Sequence, residues 1–279
     1  MFNQFIFKKM QAFATLHNGT KMPLLGLGMW DMYGQEAEQA ISWALEIGYR
    51  LFDSAAMYGN EAAIGNPVRQ SGIPREEIFI TTKVANGEQG YDSTLRAFDA
   101  SLKKLDCGYI DLYLIHWPMR RTRLDTWKAL EKLYESGQVR AIGVANYLEP
   151  FFEELLPKAA IVPMVNQVEF SPWLYLEGLL KYCREKGMVL QAYSPLVRGE
   201  RLKEAALVSI ASKYGKTPAQ IILRWAVQQG ISTIPKSSNR QRLEENFSIF
   251  DVEISAADMA VINGFHENLR VVDDPMAFW

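Results

Sequence analysis

YRLFD (residues 49–53), IFITTK (78–83) and YIDLYLIH (109–116) are short, mostly apolar, strand-like runs. Each ends in, or runs straight into, a polar residue suited to chemistry: Asp53 and then Tyr58, Lys83, and His116. Outward from these runs, strands and helices alternate. Strands are expected near 25–30, 49–53, 78–83, 109–116, 139–144, 163–168, 188–193 and 231–235. The intervening stretches, among them QEAEQAISWALEIG, TLRAFDASLKKLD, LDTWKALEKLYESG and TPAQIILRWAVQQG, repeat apolar residues at i, i+3 and i+4, as a helix with one buried face does. Several end in glycine, a common helix stop.

Eight strands alternating with helices imply an α/β fold with a parallel sheet. The closed (β/α)8, or TIM, barrel fits best, its usual size being about 250 residues. An open doubly wound sheet is the rival, but no G-x-G-x-x-G follows a first strand, and GLG at 26–28 is too short to serve. FATLHNGTKMPLL (13–25) reads as an N-terminal β-hairpin, and an extra helix is expected after strand eight. With no Pro/Gly/Ser linker and no break in composition, a single domain over 1–279 is expected, residues 1–12 being a flexible extension. The tail HENLRVVDDPMAFW (266–279) lacks helical periodicity and is expected to pack across the barrel's surface.

The 279 residues are 48% hydrophobic, enough for a large core, and the net charge is −2. That balance argues against nucleic acid as the main partner, which needs a clustered basic surface. No apolar run approaches the roughly 20 residues of a membrane span. The opening MFNQFIFKKM places its lysines after a short apolar run, the reverse of a secretory signal. Cys107 and Cys183 have neither CxxC nor zinc spacing and read as reduced residues of a cytoplasmic protein.

In a barrel of this kind, catalytic residues come from the C-terminal ends of several strands. An acid, a phenol, an amine and an imidazole meeting there form a proton-transfer set. A free phenol, with a pKa near 10, is a weak acid at neutral pH. An ammonium about 4 Å away is worth roughly 4 kcal/mol at an effective dielectric of 20. Lys83 is therefore expected to lower the Tyr58 pKa, with Asp53 keeping the lysine charged, while His116 orients a carbonyl oxygen. Hydride for such a reduction must come from a cofactor. Taken singly, each of the four reads better as a cap, a surface charge or core packing; their meeting at three successive strand ends is what favours chemistry.

IPKSSNRQRLEENF (234–247) follows the last strand, where barrels often bind phosphate. Ser238 or Asn239 can cap a helix there, and Lys236 and Arg242 add cationic contacts suited to a 2′-phosphate. The alternative is a capped surface helix with ordinary charges.

Together these stretches resemble the aldo-keto reductases: LGLGMW (25–30), DSAAMYGNE (53–61), TTKV (81–84), LIHWP (114–118), GVANY (143–147), NQVEF (166–170), AYSPL (192–196) and IPKSSNRQRLEENF match in order along nearly the whole chain. The resemblance implies a (β/α)8 barrel that binds NADPH, needs no metal, and carries a catalytic tetrad of Asp53, Tyr58, Lys83 and His116. It further implies that Asn146 and Gln167 bind the nicotinamide carboxamide, Tyr193 stacks on its ring, and Ser194 and Leu196 meet the pyrophosphate. Lys236, Ser237 and Arg242 would hold the 2′-phosphate, Ser238, Glu245 and Asn246 the adenosine, and Trp30 and Trp117 an apolar substrate pocket. Three positions depart from the family: Ala145 stands where Ser is usual, Ser171 where His is common, and Asp31 is an acid near the cofactor.

The short connection after His116 resembles the compact microbial branch that includes 2,5-diketogluconate reductases, glyoxal reductases and prostaglandin F synthase-like proteins. The expectation is a monomeric reductase of small aldehydes, α-dicarbonyls and keto sugars. Arg120, Arg121 and Arg123 read first as a solvated surface loop, with attraction of an anionic substrate as the alternative. An NADPH-binding regulatory or auxiliary protein is the alternative from another class; a metal- or phosphate-dependent barrel lyase or isomerase is disfavoured, because the strand ends show no metal-ligand cluster.

Overall fold

The computed structural model describes residues 11–279. The flexible extension expected over 1–12 thus falls, for residues 1–10, outside the described residues. Its last two residues are held in place: the Ala12 carbonyl accepts from Leu24 N at 2.8 Å, and the Gln11 amide donates to the Leu25 carbonyl. The expected hairpin follows, β1 (Phe13–Thr15) pairing antiparallel with β2 (Lys21–Pro23). Gly19, at φ +86°, takes a left-handed turn position that a side chain would strain.

Eight parallel strands come next: β3 (Leu27–Gly28), β4 (Leu51–Asp53), β5 (Phe79–Val84), β6 (Ile110–Ile115), β7 (Val139–Ala145), β8 (Val165–Glu169), β9 (Val189–Tyr193) and β10 (Ser232–Thr233). Each pairs with its sequence neighbours in order. A parallel bridge between Leu25 and Thr233 joins the first strand to the last and closes the (β/α)8 barrel. Gly26 N donates to the Thr233 carbonyl at 2.9 Å, and Gly28 N to that of Pro235 at 3.2 Å. The closure needs glycine, since a Cβ on residue 28 would stand 2.6 Å from the Ile234 carbonyl oxygen. β3 and β10 are shorter than the runs 25–30 and 231–235, because at the seam they pair through these few bonds only.

Ten helices are described: α1 (Gly34–Ile47), α2 (Ala62–Gln70), α3 (Tyr91–Leu105), α4 (Arg123–Glu135), α5 (Glu149–Leu155), α6 (Glu177–Glu185), α7 (Ala205–Lys213), α8 (Pro218–Gln228), α9 (Arg240–Phe247) and α10 (Ala256–Asn263). In α3, Thr94, Ala97, Phe98, Ser101 and Leu105 form the buried stripe, and Phe98 meets Tyr113 of β6 at 5.5 Å between centroids. Full burial of such a ring stabilises by about 1.5–3 kcal/mol. Among the described residues no helix is long and apolar enough to cross a membrane.

The tail packs across the C-terminal ends of the strands. Glu267 N and Leu269 N donate to the Trp173 carbonyl, and Val271 N and Val272 N to the Glu169 carboxylate at the end of β8. Phe278 then packs against Trp117, the rings tilted by 32° with centroids 4.8 Å apart.

Candidate active site

The strand register brings the four polar residues to one end of the barrel. Asp53 ends β4, beside Gly28 on one side and Thr81 on the other; Lys83 lies opposite Leu114, two residues before His116. Tyr58 stands on a short 3-10 turn (Ala56–Tyr58) stopped by Gly59 at φ +68°. Asn60 pins that turn: its buried amide donates to the Met29 and Met32 carbonyls at 2.6 and 2.8 Å and accepts from Ser54 Oγ at 2.6 Å. The chain after β3 and the chain after β4 are thereby locked together.

Lys83 is fully buried, and its ammonium donates to Asp53 Oδ1 at 2.5 Å and to the Ser54 carbonyl at 2.8 Å. The same nitrogen lies 5.1 Å from the Tyr58 ring centroid. The Tyr58 and His116 rings meet edge to face, centroids 5.5 Å apart. His116 Nδ1 is buried with no partner among the described residues.

Burial acts on every member of this group. Alone it would lower the Lys83 pKa, but the charge of Asp53 and the Tyr58 phenol outweigh it, and the ammonium is held above the ordinary lysine value. Burial raises the Asp53 carboxyl, against the pull of Lys83 and Gln167. Burial, and then the charge of Lys83, hold His116 well below the usual imidazole value, so the ring is neutral at neutral pH. Tyr58 departs from the expectation of a lowered phenol. Burial lifts it above 10, and Lys83 pulls it down without cancelling the rise. A nearby ammonium favours the phenolate, but the cost of desolvating a phenolate is larger here.

A cavity of about 970 Å³ opens onto this group, at the upper end of the roughly 300–1,000 Å³ of small-molecule sites. Asp53, Tyr58 and His116 line it with Trp30 and Trp117; Lys83 stands behind Asp53. Also on its wall are Asn146, Gln167, Tyr193, Ser194, Leu196, Lys236, Ser237, Arg242, Glu245 and Asn246. Asn146, in the left-handed region at φ 63°, donates to the His116 carbonyl at 2.9 Å and accepts from Tyr193 Oη at 2.8 Å. Gln167 Nε2 donates both to Asp53 Oδ2 at 2.6 Å and to Gln191 Oε1 at 2.7 Å, leaving its own carbonyl oxygen for an incoming amide. At the other segment, Asn239 rather than Ser238 caps α9, accepting from Arg242 N at 3.0 Å. Glu245 accepts from Thr217 Oγ1 at 2.5 Å.

Several residues fall elsewhere. Ser238 is half-buried and outside the cavity lining. Arg120, Arg121 and Arg123, for which attraction of an anionic substrate is the alternative to a solvated surface loop, do not reach the cavity. Arg123 is buried against Glu154 at 2.5 Å and donates to the Phe278 carbonyl, while Arg120 and Arg121 line a separate surface depression of about 280 Å³. Asp31 is exposed and outside the lining, and Ser171 Oγ serves a turn by accepting from Leu174 N. Sequence reasoning passed over Arg198, Leu202, Met57 and Val272, which line the cavity, and Asn60 and Gln191, which brace it. Asn60 and Met57 sat inside a quoted motif and Gln191 on an expected strand; Arg198, Leu202 and Val272 come from loops whose aim no local pattern reveals.

The family model described as the aldo/keto reductase family matches residues 24–267. A glyoxal reductase of Bacillus subtilis is 49% identical over 93% of this chain and 95% of its own. A 9,11-endoperoxide prostaglandin H2 reductase of Trypanosoma cruzi is 47% identical over 95% of each. Among solved structures, an aldo-keto reductase of Bombyx mori in complex with NADP superposes with a TM-score of 0.90 at 34% identity, over 94% of this chain and 95% of that one. With the family model spanning the barrel strands and these relatives matching nearly end to end, the chain belongs to the aldo/keto reductase family.

Proposed function

We propose that this protein is an NADPH-dependent reductase that converts aldehydes and ketones to alcohols, with Tyr58 as proton donor. The observation that carries the reading is the Tyr58–His116 pair on the cavity wall, backed by the buried Lys83–Asp53 ion pair. The donor set fits a dinucleotide. Amide groups of Asn146 and Gln167 face the cavity near the tetrad, and Lys236, Ser237 and Arg242 gather at the capped start of α9, where exposed N–H groups favour an anion. The NADP complex of the Bombyx mori relative supports the same choice of cofactor.

When bound, the nicotinamide supplies a hydride to the carbonyl carbon. The carbonyl oxygen lies between the Tyr58 hydroxyl and the neutral His116 ring. As negative charge develops there, Tyr58 gives its proton to the oxygen. The phenolate left behind faces the Lys83 ammonium, which Asp53 keeps charged. Lys83 thus stabilises the product side of the transfer more than the resting phenol, which is the differential stabilisation that accelerates a step. Trp30 and Trp117 offer apolar walls to small aldehydes, α-dicarbonyls and keto sugars, and the glyoxal reductase likeness supports the second of these.

The test follows NADPH absorbance at 340 nm with methylglyoxal, phenylglyoxal, an aromatic aldehyde and a keto sugar, with NADH for comparison. Turnover with preference for NADPH is expected. Tight NADPH binding with no turnover across the panel would instead point to a cofactor-sensing protein.

A further inference from the structure

Arg198 is a cation on the cavity wall that the tetrad and the cofactor residues leave unused. Its guanidinium lies over the Trp30 indole, 5.5 Å from the ring centroid and within the roughly 6 Å of a cation–π contact. Trp30 belongs to the reacting end of the cavity. Its neighbour Met29 donates from N to the Asp53 carbonyl at 2.9 Å and accepts from Asn60 just beyond Tyr58. Lys236 and Arg242, the other cations on the lining, belong instead to the segment after β10.

The loop that carries Arg198 is built against local preference. Ser194, Val197 and Arg198 have φ values of 48°, 48° and 53°. A β-branched residue in the left-handed region is an outlier that persists only where its surroundings over-determine it. Here the buried Val197 side chain and the Gly199 N bond to the Leu196 carbonyl at 2.7 Å anchor the turn and leave Arg198 facing the cavity. A guanidinium has five N–H donors. Arg198 Nη2 donates to the Val271 carbonyl at 3.0 Å, and no carboxylate pairs with Arg198 among the described residues. Glu169, the nearby acid, feels the charges of Arg270 and Arg198 but takes its hydrogen bonds from Val271 N and Val272 N.

We propose that Arg198 binds a carboxylate on the substrate, so that aldehydes and ketones bearing a carboxylate are the preferred class. This deepens the reductase reading above and rests on it. The planar guanidinium matches a carboxylate with paired N–H···O bonds, and the indole beneath gives an apolar wall to the segment joining carboxylate and carbonyl.

The experiment compares kcat/KM for 4-carboxybenzaldehyde and 4-nitrobenzaldehyde, alike in shape but only the first an anion, in the wild type, R198Q and R198K at saturating NADPH. The anionic-to-neutral ratio is expected to fall at least about tenfold in R198Q, chiefly through KM, and to recover in part in R198K. An equal loss for both aldehydes would show a structural role through Val271, and a loss carried by the KM for NADPH would show a cofactor contact; either overturns the proposal. Quenching of tryptophan fluorescence by 4-methylbenzoate in the NADP-loaded protein gives a readout without turnover. Binding weakened about tenfold in R198Q is expected, and equal binding in both proteins, or none to the wild type, overturns it. Wild-type protein that turns over neither aldehyde defeats the reductase reading alone, because the titration still decides Arg198.

Discussion

Gln167 donates to Asp53 Oδ2 at 2.6 Å while Lys83 holds Oδ1 of the same carboxylate at 2.5 Å. The amide expected at the nicotinamide and the buried ion pair are therefore one network. It continues through Gln191 to Ser232 Oγ at 3.1 Å, and from Ser232 to the Pro23 carbonyl, crossing β5, β4, β8, β9 and β10 inside the barrel. Every polar group in that chain is buried. A satisfied network of this kind fixes side-chain positions, and a broken one is costly.

Removing one charge from the pair leaves the other buried alone. Asp53→Asn and Lys83→Met should each destabilise the protein by about 3–5 kcal/mol in urea denaturation. The double variant should recover part of that loss, since two neutral groups no longer oppose burial, yet stay inactive. Strictly additive single losses would mean that the two side chains do not stabilise each other through charge.

Tyr58→Phe removes only the hydroxyl. General acid catalysis is commonly worth about 10²–10⁴ in rate, and kcat should fall by that order. The Kd for NADPH, read by fluorescence quenching, should stay close to wild type. Near-normal turnover in this variant would remove Tyr58 from the proton-donor role.

The start of α9 bears on the choice between NADPH and NADH. Lys236 and Arg242 are exposed and reach no acid among the described residues, so both are available to a phosphate. Lys236→Ala and Arg242→Ala should each raise the KM for NADPH about tenfold or more, with far smaller changes for NADH, because a lost charge-assisted bond is worth about 1.5–3 kcal/mol. Equal effects on the two cofactors would place the 2′-phosphate elsewhere.

The barrel was legible because each buried strand and each amphipathic helix announces itself within a dozen residues. The alignment of Asp53, Lys83 and His116 followed from strand ends alone. Long-range partners were not legible. Arg123 reads as one of three surface arginines, yet Glu154 and Phe278, each at least 31 residues away, draw it inward. α10 escaped notice because AADMAVIN buries little beyond Asp258 and Ile262, leaving Val261 48% exposed. Arg198 owes its position to backbone angles around Val197, which no composition rule reports. The sign of the Tyr58 shift failed for a related reason: proximity to a charge can be guessed from sequence, whereas the depth of burial emerges only from the folded neighbours.

That sign sets the pH behaviour. As the proposed proton donor, Tyr58 would have to carry its proton to reduce a carbonyl, and burial raises its phenol above the ordinary value of 10, so it stays protonated through neutral and mildly alkaline solution. His116 lies well below 6.5 and gains a proton only in acid. The kcat/KM for reduction should therefore be level between about pH 6.5 and 9, and fall only as pH rises through the Tyr58 pKa. Alcohol oxidation runs the transfer backwards and needs the phenolate as acceptor, so its rate should climb with pH across the same interval. Measuring both directions in one buffer series separates the two slopes. An inflection near pH 6.5 in the reduction profile that disappears in His116→Gln would show an imidazole titrating at its ordinary value, and the neutral-histidine account of the site would have to be abandoned.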